Sequence, residues 1–230
     1  MTALKIAGPI ALTGGLSSQT VVIAASATAE TLLAVETSRL ETFADGVFAI
    51  AATLLIIDVT ADAQGGGLGA ALEHHWPQYA AYAVSFVTIG IMWVNHHACL
   101  QVIDRTDRRW LFINIALLGC IAFVPFPTKL IAEHLHDNGV RAAAIAYGLT
   151  MTATAICFAL FWFYAAIGRR LITDAAPQRM ITGISRAFLP GSFIYGGSTL
   201  VALWSPHTAI ALFAAIAGFY VLESSLFGRD

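Results

Sequence analysis

From residue 41 onward, long apolar runs alternate with short polar breaks, and their lengths predict six membrane-spanning helices. The runs fall at about 41–59, 76–98, 110–131, 141–167, 184–204 and 207–226. A Gly-rich loop carrying Asp62 and Glu73 separates the first two, and the charged turn from Asp104 to Arg109 separates the next pair. Pro125 and Pro127 stand near the far end of the third run and predict a kink or an unwound turn there. Trp76, Trp110 and Trp204 sit at predicted helix ends, where amphipathic rings anchor a span to the interface. The expected fold is all-α, with six transmembrane helices per subunit.

Basic residues set the orientation. Lys5, Arg39, Arg105, Arg108, Arg109, Arg169, Arg170, Arg179, Arg186 and Arg229 fall on one side of this arrangement. Lys129 and Arg141 fall on the other, completing the twelve basic residues. The excess places both termini in the cytoplasm of a multi-pass cell-membrane protein. Residues 1–38 are rich in Ala, Thr, Ser and Gly, with Gly8, Pro9, Gly14, Gly15 and the polar SSQT interrupting the apolar IAGPIAL. They are expected to be a flexible cytoplasmic extension rather than a cleaved signal segment, leaving 39–230 as the membrane domain.

Composition agrees with a lipid environment: 58% of residues are hydrophobic, 11% are charged, and mean hydropathy is +0.74. Soluble domains carry about 25% charged residues. A net charge of −2 without a basic patch excludes nucleic acid as a partner. Cys99, Cys120 and Cys157 lie in apolar runs at unrelated spacings and read as small buried hydrophobes.

The first run, RLETFADGVFAIAATLLIIDV from Arg39 to Val59, carries the candidate chemistry. On a helix, Ile50, Thr53 and Ile57 fall within roughly 60° of one another and form a narrow stripe with one hydroxyl. Asp45 lies inside the apolar span, where a carboxylate needs a partner or a wet cavity, and roughly 140° from Ile50. If the stripe faces an axis, Asp45 points back into the protein. The second helix brings Asn95, His96 and His97 to a similar depth, so Asp45 is expected to meet them in a polar network. One of the adjacent histidines should face inward and the other outward. A metal site is disfavoured, because His96 and His97 are separated by about a membrane thickness from His134 and His136. Asp58 is either an outer cation-attracting carboxylate or a plain helix-end charge. An isoleucine stripe alone ordinarily means packing.

These residues resemble the transmembrane protein 175 family of potassium channels. The family signature Arg-x-x-x-Phe-Ser-Asp, followed by Gly-Val-Phe-Ala-Ile, is matched by Arg39, Phe43 and Asp45 and then by Gly46 to Ile50. Ala44 stands where the family has Ser, so the family's hydrogen bonding there does not carry over intact. The likeness continues through Trp93, Asn95, His96 and His97 and, more loosely, through Pro125 to Pro127. It implies a homotetramer around the first helix, with Ile50, Thr53 and Ile57 at the pore constriction. It also implies potassium as the permeant species, no cofactor and no metal. No TVGYG-like run is present, so potassium-over-sodium selectivity is expected to be modest and set by apolar rings. The competing reading is a proton-coupled secondary transporter using Asp45 and the His96/His97 pair, although no internal repeat is visible. No nucleophile–base pairing or phosphate loop suggests an enzyme.

Overall fold

A computed structural model describes residues 38–57, 59 and 67–227, with side chains as far as Leu222. The expected extension 1–38, apart from Ser38, and Asp58 and Asp62 lie outside the described residues. Helix α1 covers 38–54 and buries Ala44, Phe48, Ala51 and Leu55, spaced at i, i+4, i+7 and i+11. Past residue 54 the backbone tightens. Ile56 and Ile57 donate to the carbonyls three residues back, at 3.4 and 3.2 Å, and Val59 repeats the pattern at 3.1 Å. The regular helix expected to reach 59 therefore ends earlier, and this last turn is 3₁₀-like.

Helix α2 (Gly67–His74) leads into α3 (Trp76–Leu100), which starts with a proline at a position where no N–H partner is needed. Helix α4 (Arg108–Phe123) is followed by α5 (Pro125–His134) across the bend that the two prolines predict. Helix α6 (Val140–Ala166) is apolar all the way round and packs against α4 and α5 as well as the three later helices. After α6, Gly168 (φ +65°) and Arg169 (φ +53°) reverse the chain through the left-handed region. Arg169, the non-glycine there, is held by its guanidinium donating to the Ala176 carbonyl at 2.6 Å. The loops after α3 and α6 are joined by an antiparallel bridge between Ile103 and Ile172, so both helices end on the same side.

The fifth apolar run departs from expectation. In place of one helix over 184–204 there are α7 (Gln178–Phe188) and α8 (Gly191–Val201), parted at Leu189–Pro190. Proline removes a backbone donor and clashes with the preceding turn. Helix α7 is amphipathic, with Ile181, Ile184 and Phe188 on one face and Arg179 and Arg186 on the other. Helix α9 (Pro206–Phe227) closes the chain. The stretches Trp76–Leu100, Arg108–His134 and Val140–Arg169 are long and apolar enough to cross a membrane; Pro206–Leu222 is a shorter apolar helix. The core is centred on α4 and α6. The Trp110 and Phe161 rings stack at 4.7 Å, and the Trp110 indole donates to the Phe161 carbonyl at 3.1 Å. Among the described residues there is no strand beyond that single bridge.

Candidate functional site

Helix α1 has two unlike faces. Opposite its buried Ala44–Leu55 row, Ile50 is 61% exposed, Ile57 is 69% exposed, and Thr53 and Phe43 are open as well. Burying one apolar row and exposing another leaves a greasy stripe without a protein partner inside the subunit. The Thr53 hydroxyl donates to its own helix, at 2.8 Å to the Ala49 carbonyl and 3.0 Å to that of Ile50. Its proton is therefore committed, and its oxygen presents lone pairs outward, the arrangement suited to a passing cation.

Two polar contacts tie α1 to α3, and a third ties α3 to α4. The Trp93 indole donates to Asp45 Oδ1 at 2.8 Å. His97 Nδ1 is 3.0 Å from Glu41 Oε1, while its Nε2 lies 3.1 Å from the Gln101 amide nitrogen, so one ring donates on one side and accepts on the other. Trp93 and His97 stack at 5.8 Å. His96, 2% exposed, sits between the rings of Phe48 (5.5 Å) and Phe161 (5.1 Å), with Nε2 2.9 Å from Asn114 Oδ1.

This differs from the single cluster expected from the sequence. Asp45 is exposed and faces a groove of about 400 Å³ between α1 and α3, rather than the interior, because Trp93 offers a donor at the surface. Neither histidine is its partner. Asn95 is part of none of the three contacts and lines a different cavity. Arg39 is exposed at the start of α1. Of the adjacent pair, His96 is the inward ring and His97 the half-buried one. Ala44 is fully buried, so the family's serine position is filled here by an apolar side chain. The sequence pattern alone gives Glu41, Gln101 and Asn114 no role in these contacts. Asn114 had a visible signal, being the one amide in the apolar run from Trp110 to Cys120. Among the described residues no three His, Cys, Asp or Glu side chains converge as a metal site would require.

Asn114 reaches His96 because α4 starts in a fixed place. Asp107 caps that start, accepting from the Trp110 backbone N–H at 2.9 Å and the Tyr164 hydroxyl at 2.9 Å, with Arg170 at 3.3 Å. The backbone N–H above all, then the Tyr164 hydroxyl and the Arg170 charge, hold its carboxyl below the usual carboxylate range. A depressed folded-state pKa gives stability above the unfolded value, about 3.9, that is lost as pH falls through the folded one. Asp107→Ala is expected to cost about 1 kcal/mol at neutral pH. Thermal melts in detergent should show the difference from the parent shrinking below pH 4. A gap that stays constant to pH 3 would contradict this role.

Comparison with known proteins bears on this arrangement. The family model for the endosomal/lysosomal potassium channel TMEM175 matches residues 39–125, which contain α1, α3 and α4. A protein of Streptomyces collinus described as a potassium channel is 42% identical over 190 residues, covering 80% of this chain and 91% of its own. Another so described, from Chamaesiphon minutus, is 35% identical over 194 residues, covering 83% and 96%. The crystal structure of a lysosomal potassium-selective channel TMEM175 homolog from Chamaesiphon minutus superposes with a TM-score of 0.75 at 34% identity, covering 82% of this chain and 98% of that one. With relatives this similar over nearly their whole length, the chain belongs to the TMEM175 family.

Proposed function

We propose that this protein is one subunit of a homotetrameric, potassium-permeable cation channel of the cell membrane. Its pore is lined by the exposed face of α1. Each subunit crosses the membrane six times, both termini are cytoplasmic, and selectivity for potassium over sodium is modest. The observation that carries this reading is the division of α1 into a buried row and an open stripe of Ile50, Thr53 and Ile57. One helix cannot enclose a hole, so several copies must bring that stripe to a common axis. Apolar rings at Ile50 and Ile57 would control wetting, and the Thr53 oxygens would face a partly dehydrated cation. Potassium enters as the permeant ion named for the bacterial relatives. Trp93, His96 and His97 would hold α1 at a constant angle, since each bonds a residue on α1 or stacks against one. The proton-coupled transporter reading has less support, because Asp45 and His96 bond different partners and share no relay.

Substituted cysteine tests the pore face. Ile50→Cys, reconstituted in liposomes, should lose most of its potassium flux to millimolar cadmium, while the parent with its three native cysteines keeps its own. Full flux in the treated variant would remove α1 from the pathway.

A further inference from the structure

The three cysteines are not alike in the fold. Cys99 is fully buried on α3. Cys120 of α4 and Cys157 of α6 are half-buried, and their sulfurs lie 3.9 Å apart although 37 residues separate them in the chain. Helix α4 starts beside the end of α6, where the Tyr164 hydroxyl donates to Asp107. From Arg108 to Cys120 is about 18 Å along α4, and from Ala166 back to Cys157 is about 14 Å along α6. Both thiols therefore stand well inside a hydrocarbon core of about 30 Å. An unpaired charge is costly at that depth, which selects among the things two sulfurs could hold.

Geometry makes the first selection. Metal–sulfur bonds of about 2.3 Å span about 3.8 Å when bent to a tetrahedral angle and about 4.6 Å when straight. The 3.9 Å between Cys120 and Cys157 falls within that range, so one atom can bridge them with the helices where they are. A disulfide would need the sulfurs to close to about 2.05 Å. Ligand number makes the second selection. Among the described residues no third His, Cys, Asp or Glu joins the pair. Zinc, which takes four ligands, would be left half-filled, whereas a soft ion satisfied by two sulfurs is not. Charge makes the third. Two thiolates neutralise a divalent ion, but they leave a net negative charge in hydrocarbon around a monovalent one. We propose that Cys120 and Cys157 form a two-sulfur site for a soft divalent metal ion, the mercuric ion, which bridges α4 to α6. Mercuric chloride enters neutral and the bridged product is neutral. Two S–H and two Hg–Cl bonds break, two Hg–S bonds form, and two equivalents of HCl leave to water. The bridge closes a loop that contains the Pro125–Pro127 bend and α5.

The site lies off α1, and its test reads no ion flux. The full chain in detergent receives one equivalent of mercuric chloride and is washed with excess monothiol. Mercury is then counted per chain, and its sulfur neighbours are read by X-ray absorption. The parent should retain one mercury per chain with two sulfur neighbours. Cys120→Ala and Cys157→Ala should each retain about a hundredfold less, because the second bond is no longer made within the molecule. Cys99→Ala should match the parent. The bound ion should also raise the parent's melting temperature and leave that of the Cys120→Ala and Cys157→Ala proteins unchanged. Equal retention by the parent and Cys120→Ala would overturn the proposal. So would a single sulfur neighbour in the parent's spectrum, a readout that needs no substituted protein to fold.

Discussion

Ile50→Asn is expected to raise cation flux about tenfold and to bring potassium and sodium permeabilities closer together. The argument starts from the side chain. Ile50 is 61% exposed on a helix whose opposite row is packed, so its neighbours at the axis would be its own symmetry copies. A ring of branched aliphatic groups repels water, and an ion crossing it must shed hydration without compensation. An amide in each copy restores hydrogen bonding, and about 1.4 kcal/mol removed from the barrier is a tenfold rate change. Selectivity falls for the same reason, because both ions now cross hydrated. The measurement is liposome flux together with the reversal potential under opposed potassium and sodium gradients. Ile115→Asn, at an exposed position on α4, serves as the control and should leave both unchanged. Unaltered conductance and selectivity in Ile50→Asn would refute the pore assignment.

How far the sequence told this in advance depended on whether a local pattern decided the outcome. The apolar runs around α3, α4 and α6 were legible because an element of spanning length and uniform hydropathy has few alternatives. The open stripe on α1 was legible too, since helical spacing alone puts Ile50, Thr53 and Ile57 on one side. Partner choice was not. The sequence pattern predicts that Asp45 meets His96 and His97, whereas Trp93, Asn114 and Glu41 are their partners. Which polar group meets which depends on the rotation of packed helices, which no one-helix pattern contains. The same holds for Asn95: one residue before His96, it is turned by about 100° and so faces a different cavity. The break at Leu189–Pro190 could have been read, because Pro190 interrupts the fifth run and Gln178 to Phe188 has helical amphipathicity. Hydropathy smoothed over a window of spanning length hides both.

The largest structural effect is expected at a residue that signals nothing in sequence. Gly148 of α6 lies against α8 and α9, and an added Cβ there would overlap the Thr199 hydroxyl. It would also stand 2.9 Å from the Phe213 ring and 3.0 Å from Thr199 Cβ. Real Cβ atoms do not sit at such distances, so the helices must separate. The surrounding contact is built from small groups: Thr152 and Thr199 hydroxyls lie 3.3 Å apart, and Gly191 and Gly196 approach Ala155 and Thr152. In lipid, close packing of small residues is a main source of helix association, because burial against a neighbour gains little over burial in acyl chains. Gly148→Ala is therefore expected to destabilise by about 1–3 kcal/mol despite its better helix propensity, and Gly148→Leu to prevent assembly of α6 with α8. Gly119→Ala, at a helical glycine with nothing within 4 Å, should be neutral or stabilising. Thr199→Ala placed on Gly148→Ala should restore part of the loss by clearing the hydroxyl. Melting temperatures of the four purified proteins decide it: equal melting of Gly148→Ala and Gly119→Ala would mean that α6 and α8 are not held at this spacing.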